Sequence, residues 1–256
     1  MENFLADLAA GKVNKYRELT PLHFEYEAPK INRSEILRYA GYPASVLRKK
    51  SLEAQAEKCA QCGKKCSMSV DNCELIGENG ADFSDDTLDE LIDSTIPMLQ
   101  KELTYRVSCC CLNLEFDEAG KPLLPFEHSS KNLQENLKNC SGVVIFVATI
   151  GAGIDRLIRR YERTQPARGL VLQGAGAERV EALCDEFNEQ VRVLAEKQGL
   201  KLHPRYSPGY GDLSINVQSD VLRITNAEKT LGVTLSDSYL MAPSKTVTAI
   251  IGIEKV

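Results

Sequence analysis

Apolar positions recur at helical spacing along three stretches of the chain and run without interruption along a fourth. Leu88, Leu91, Ile92, Ile96, Leu99 and Leu103 mark an amphipathic helix, capped by Ser84 or Asp85, in which Pro97 predicts a kink or a break. Ile154, Leu157, Ile158 and Tyr161 mark a second helix. Val180, Leu183, Cys184, Phe187, Val191 and Leu194 mark a third that runs to about residue 198, its start obscured by Gly174 and Gly176. Gly142–Thr149 is continuously apolar, the pattern of a strand buried on both sides. Thr104–Phe116 alternates loosely and reads as a strand. Tyr239–Met241 and Thr246–Ile253 read as a closing pair of strands around Pro243-Ser244-Lys245. Shorter signals fill the gaps. They predict a helix on Leu5, Leu8 and Ala9 ended by Gly11, and a strand at Leu22–Tyr26. A helix at 35–39 is capped by Asn32 or Ser34, and 45–58 has a helical composition. Residues 77–80 and 118–121 read as turns, Ser130 opens a helix bearing Leu133 and Leu137, and another helix covers roughly 217–228. Strands and helices do not alternate strictly, so the pattern predicts an α+β fold rather than a doubly wound sheet.

One stretch resists periodicity. His203-Pro204-Arg205-Tyr206-Ser207-Pro208-Gly209-Tyr210-Gly211-Asp212 carries two prolines and two glycines, which shape a loop because proline fixes φ and glycine permits φ > 0. It also carries an arginine, two tyrosines and an aspartate. A rigid loop holding such side chains suits a small polar ligand.

Composition narrows the function classes. The 256 residues are 43% apolar and 26% charged, ordinary for a globular protein. A net charge of −5 and the lack of tryptophan or a basic block give no basis for nucleic-acid binding. No apolar run reaches spanning length and the N-terminus does not read as a signal peptide, which predicts a cytoplasmic protein without a membrane role. The nine cysteines are odd in number and clustered, against a disulfide framework. Cys59, Cys62, Cys66 and Cys73 place four thiols within fifteen residues, a set that suits zinc or an iron–sulfur cluster because both select soft sulfur ligands. The competing reading is a variable insertion with reduced cysteines. Cys109-Cys110-Cys111 sits on the expected strand and reads as buried small hydrophobes.

Other motifs carry less. Ile150-Gly151-Ala152-Gly153 between strand and helix invites a dinucleotide reading. Arg156 occupies the third glycine position, however, and no acidic residue closes a second strand, so a tight turn is favoured. His23, His128 and His203 have no ligand spacing. Glu178, Glu181, Asp185 and Glu189 line a flank of the third helix, ordinarily a solvated face, but Glu181 lies at the edge of the apolar seam and could face a cleft.

Four stretches together resemble the activation domain of cobalamin-dependent methionine synthase. Arg205-Tyr206-Ser207-Pro208-Gly209-Tyr210 is similar to that family's Arg-x-x-Pro-Gly-Tyr loop. Leu235–Pro243 followed by Thr246-Val247-Thr248, Val180-Glu181-Ala182-Leu183 with Val191-Arg192, and Val147-Ala148-Thr149-Ile150-Gly151 resemble further segments. Glu35–Tyr42 is similar to stand-alone members. The resemblance covers roughly 31–43 and 82–253. It organises the chain as a lead-in at 1–30 and an activation-like domain at 31–256 with a cysteine-rich insertion at about 45–81. The chain departs from the family at Gly211-Asp212-Leu213-Ser214, where Pro-Ala-Cys-Pro is frequent, and at Ala242, where the family has tryptophan.

The resemblance implies a C-shaped single domain with a twisted antiparallel β-sheet flanked by helices, binding S-adenosylmethionine in a shallow groove. It implies that the sulfonium methyl is presented to oxidised cobalamin on a partner protein. It implies an electron from flavodoxin or ferredoxin in the reductive methylation of cob(II)alamin. No cobalamin-binding segment is read in this sequence, so the expected partner is a truncated cobalamin-dependent methionine synthase or another corrinoid protein. Carried across by position, the resemblance implies that Arg205 binds the ligand carboxylate and that Glu181 accepts from its amino or ribose donors. It implies further that the Ser207 backbone meets the adenine and that Tyr210 lines the methyl-bearing end as the candidate catalytic residue. Two alternatives accompany this reading: an electron-transfer protein using the cysteine run to serve a corrinoid methyltransferase, and a non-catalytic S-adenosylmethionine-binding protein.

Overall fold

The computed structural model describes residues 1–12, 21–42 and 85–256. In chain order its elements are α1 (Glu2–Ala9), β1 (Leu22–Tyr26), α2 (Arg33–Tyr39), α3 (Asp85–Glu102), β2 (Tyr105–Asn113), β3 (Glu115–Phe116), β4 (Pro122–Leu123), α4 (Lys131–Asn136) and β5 (Cys140–Thr149). There follow α5 (Gly153–Tyr161), α6 (Pro166–Glu196), β6 (Leu200–Leu202), α7 (Val217–Ile224), α8 (Ala227–Leu231), β7 (Thr234–Leu235), β8 (Met241–Ala242) and β9 (Thr246–Lys255). Contacts divide the chain into two compact units. One comprises Met1–Ile31, Glu102–Leu157 and Arg179–Val256; the other comprises the described part of Asn32–Lys101 together with Ile158–Glu178. The helix α6 contributes residues to both.

The first unit is built on a five-stranded antiparallel sheet in the order β1-β2-β5-β9-β6. Its register aligns Cys110 with Ile145 and Ile145 with Ile250, so these side chains share one face. With Val143, Val147 and Leu112 they meet Leu133 and Leu137 of and beside α4, Val217 and Val221 of α7, and Ala227 of α8 in a single buried cluster. On the opposite face Phe146 packs on Phe187 of α6 with ring centroids 4.9 Å apart, and Phe24 of β1 joins at 6.1 Å. Antiparallel sheets often leave one face to water. Here both are covered, which is why β5 is apolar at consecutive positions instead of alternating. The fold is α+β with helices flanking an antiparallel sheet, as the sequence pattern predicts.

Buried polar groups fasten the chain to α6. Arg179 is 1% exposed; it donates to the Pro29 carbonyl and, at 2.6 Å, to that of Lys30. Burial of a guanidinium is tolerated because its donors are taken up by carbonyls. In the second unit, Glu178 accepts the Asn32 amide at 2.9 Å, and the Asn32 side chain caps α2 by accepting from Glu35 N.

Several elements differ from the sequence-based expectation. The helix α3 continues through Pro97 without a break. The expected strand at 104–116 is divided, because Leu114 turns its N–H to Ser141 O and β3 then pairs with β4 in a small hairpin. The helix at 217–228 is two helices, separated where Asn226 adopts a left-handed conformation at φ 53°. The segment at 239–241 does not pair with β9: β8 pairs with β7, and β9 pairs with β5 and β6. The short strand β6 was not expected at all. The helical stretch at 45–58 and the turn at 77–80 lie outside the described residues.

The long helix begins at Pro166, well before Gly174. That glycine is a packing position: a Cβ there would lie 2.4 Å from Ile36 O and 2.8 Å from Ala40 N of the neighbouring α2 segment. Helix propensity alone would make Gly174→Ala stabilising by about 1 kcal/mol. The backbone clash reverses the sign, so the substitution is expected to destabilise by about 1–3 kcal/mol in urea unfolding.

Candidate functional site

The site begins with a register shift at the sheet edge. β6 pairs with β9 so that Leu200, Lys201 and Leu202 face Lys255, Glu254 and Ile253. His203 N continues this pairing onto Gly252 O at 2.9 Å. Tyr206 then pairs with Ile250, exchanging both backbone hydrogen bonds at 2.8 and 2.9 Å. Two residues, Pro204 and Arg205, therefore oppose the single residue Ile251. This is a one-residue bulge. Tyr206 shares a face with Ile250 and packs against the same buried cluster. Its neighbour Arg205 consequently points to the other face, toward α6.

There Arg205 Nη2 meets Glu181 Oε2 at 2.8 Å and Asp185 Oδ1 at 3.1 Å. Glu181 and Asp185 are four residues apart, so they stand one above the other on the helix face. Pairs this accessible contribute about 0.2–1 kcal/mol each and exchange readily with other partners. The second terminal nitrogen, Nη1, is buried and has no hydrogen-bond partner among the described residues. An unsatisfied buried donor costs about 1–3 kcal/mol, and the Cys184 sulfur, a weak acceptor, is its neighbour. Beneath the cluster Cys184 is fully buried; burial pushes its thiol above the usual range despite the adjacent guanidinium.

The loop beyond Arg205 is shaped by short backbone bonds. Tyr210 N donates to Ser207 O at 3.1 Å, and Gly209 N donates to Leu213 O at 2.9 Å. Gly209 has φ +83°, a conformation that favours glycine. Ser207 is half-buried, whereas Tyr210 is 72% exposed. The Tyr210 ring stands edge-on to Tyr206 at 6.1 Å, and Tyr206 Oη donates to Tyr210 O at 3.2 Å. The structure thus brings Arg205 and Glu181 into direct contact and places Ser207 and Tyr210 on the same ordered loop, with the Tyr210 ring presented to solvent.

No family model matches the chain, and no curated protein matches it. Among solved structures it aligns with the "MetH Reactivation Domain bound to AdoHcy". That alignment has a TM-score of 0.49 and 14% identity and covers 92% of this chain and 79% of the other.

Other residues singled out by sequence fall elsewhere. Cys59, Cys62, Cys66 and Cys73 lie outside the described residues. No cluster of three or more His, Cys, Asp or Glu side chains with metal-binding geometry occurs among the described residues. Cys109 and Cys110 are buried on opposite faces of β2, as small hydrophobes. His23 is exposed on β1. His128 faces Pro122 O through Nε2 at 3.3 Å, and burial lowers its pKa. The Gly151-Ala152-Gly153 turn has a packing explanation: a Cβ on Gly153 would lie 2.0 Å from Glu102 O. No helix among the described residues is long and apolar enough to cross a membrane.

The sequence reading did not place Asp185 at the site, because its spacing from Glu181 is equally that of a solvated face. It also missed the anchors of the loop. His203 Nδ1 faces Asn136 O at 2.6 Å and Nε2 faces Glu254 Oε2 at 2.9 Å, while Lys201 Nζ approaches the same carboxylate at 3.6 Å. Hydrogen bonding from His203 holds the Glu254 carboxyl below its ordinary range. A depressed carboxylate stabilises the fold above its unfolded pKa and loses that contribution as pH falls through the folded value. Glu254→Gln is therefore expected to flatten the acid limb of stability against pH, measured by urea unfolding from neutrality down through roughly pH 4, with its largest effect at the neutral end.

Proposed function

We propose that this chain binds S-adenosylmethionine at the Arg205 cluster and serves as a reactivation subunit for a separate cobalamin-dependent methionine synthase or another corrinoid protein. The observation that carries the reading is the state of Arg205: two carboxylates hold one nitrogen, and the other is buried with no partner among the described residues. A fixed guanidinium with a free donor fits a carboxylate. Glu181 and Asp185, immediately beside it, fit an ammonium group, so the cluster complements the two charged ends of an α-amino acid. The order of residues in the Arg205–Tyr210 loop and its resemblance to the activation-domain motif supply the rest of the ligand.

When bound, S-adenosylmethionine supplies an activated methyl group on sulfur, for which the corrinoid of the partner is the acceptor. The chain's own residues bind and orient. Arg205 holds the carboxylate, Glu181 accepts from the amino or ribose donors, and the Ser207 backbone lines the adenine side. Tyr210, as the exposed aromatic of the loop, lines the methyl-bearing end and faces the partner. Flavodoxin or ferredoxin is the proposed electron donor to that partner. Cys59, Cys62, Cys66 and Cys73 are the proposed ligands of a zinc ion or an iron–sulfur cluster, read by metal analysis and visible absorption after anaerobic purification.

Titration calorimetry with S-adenosylmethionine and S-adenosylhomocysteine tests the ligand. Arg205→Ala is expected to weaken binding by about 2–3 kcal/mol, roughly 30- to 150-fold, as for truncation of one partner of a charged pair. Equal binding by wild type and Arg205→Ala contradicts the site. Remethylation of cob(II)alamin on a corrinoid partner separates a reactivation subunit from a binding protein without chemistry: Tyr210→Ala is expected to lower the rate more than it lowers affinity.

A further inference from the structure

The ligand loop departs from the activation-domain pattern at Gly211-Asp212, and the structure gives that departure a task. The Asp212 carboxylate accepts from Lys131 N at 2.7 Å, from Asn132 N at 3.3 Å and from the Ser130 hydroxyl. Ser130 Oγ in turn accepts from Leu133 N at 2.9 Å. Together they take up the first free N–H groups of α4, which a helix end otherwise leaves unsatisfied. The charge also suits the positive end of a helix.

The other end of α4 holds the start of the same loop. Asn136 Nδ2 donates to Pro204 O at 3.1 Å, and Asn136 O faces His203 Nδ1 at 2.6 Å. A helix of six residues is too short to be stable alone and spans about 9 Å. Its termini are fixed instead by the two ends of the loop, and its apolar side by Leu133 in the core. Between these anchors the loop passes close to the helix: a Cβ on Gly211 would lie 2.8 Å from Asn132 Nδ2.

We propose that Asp212 is a positioning residue for the ligand site, and that α4 is a splint that sets the separation of the two ends of the loop and so the placement of Ser207 and Tyr210. The proposal rests on reading this loop as the S-adenosylmethionine site. In this proposal Asp212 acts through the backbone of Gly209–Gly211 and not by contact with the ligand. Removing it frees the C-terminal anchor while Arg205, on the sheet edge, stays in register.

The experiment compares wild type, Asp212→Ala and Asp212→Asn. S-adenosylhomocysteine affinity is measured by calorimetry, and amide exchange is followed at Gly209, Tyr210 and Leu213. Asp212→Ala is expected to bind about tenfold more weakly, with faster exchange at those three amides and unchanged exchange at Tyr206 and Ile250. Asp212→Asn keeps an acceptor oxygen and is expected to restore most of the affinity and the protection. A merely structural role predicts a lower melting temperature with wild-type affinity in the folded protein, and that result overturns the proposal. Unchanged exchange at Gly209, Tyr210 and Leu213 in Asp212→Ala overturns it as well. Absence of ligand binding by the wild type instead overturns the S-adenosylmethionine reading, and the exchange data alone then decide whether Asp212 orders the loop.

Discussion

The central strands β5 and β9 are buried on both faces, and the site depends on that constraint. The α6 helix covers one face through Phe187, and α4, α7 and α8 cover the other through a single apolar cluster. Strands held this way have little freedom to shift, because moving one residue along the register exchanges the two sets of side chains. β9 therefore acts as a fixed ruler for the edge strand beside it. The short strand β6 and the irregular segment after it are measured against it, pair by pair, from Leu200 to Tyr206. The helix that covers one face also brings Glu181 and Asp185 to the edge where Arg205 emerges. Packing and site geometry thus share an element: α6 buries Phe187 on one side and carries the carboxylates on another.

The strength of the Arg205 cluster is suited to exchange. Its ion pairs are partly exposed and contribute little to folding. What distinguishes them is their arrangement around a guanidinium whose other terminal nitrogen is withdrawn from water. The loop that follows is held differently, by backbone hydrogen bonds and by carboxylate and amide groups at the two ends of a short helix. One part of the site is thereby built for charge and the other for shape. On the proposed reading, the first part takes the charged end of the ligand and the second its aromatic base.

Much of the fold was legible in the amino-acid sequence where a periodic signal was long. The apolar run at 142–149, the helical spacing from Val180 to Leu194 and the caps at Asn32 and Ser130 all correspond to observed elements. Failures came where tertiary contact overrode local propensity. Gly174 looks like a helix breaker in sequence and is instead a contact point, because the neighbouring backbone leaves no room for a Cβ. Pro97 stays inside a helix whose buried residues, Leu88, Ile92 and Leu99, hold it on either side. β8 pairs with β7 rather than with β9, a choice no local pattern encodes. At the site, the polar loop and the edge position of Glu181 were visible as residue types. The tasks of Asp185, Asn136 and Asp212 were not, because they depend on partners 20, 68 and 80 to 82 positions away.

The bulge at Pro204-Arg205 separates the direction of Arg205 from the length of the chain before it. Because Tyr206 is held to Ile250 by both backbone hydrogen bonds, its neighbour Arg205 emerges on the α6 face whatever the number of residues between His203 and Arg205. A residue added before Arg205 enlarges the arch, whereas one added between Arg205 and Tyr206 takes the arginine out of the position that alternation sets. Related chains that keep this arginine need conserve neither the proline nor the number of residues before it; they need to conserve the side of the sheet on which it emerges.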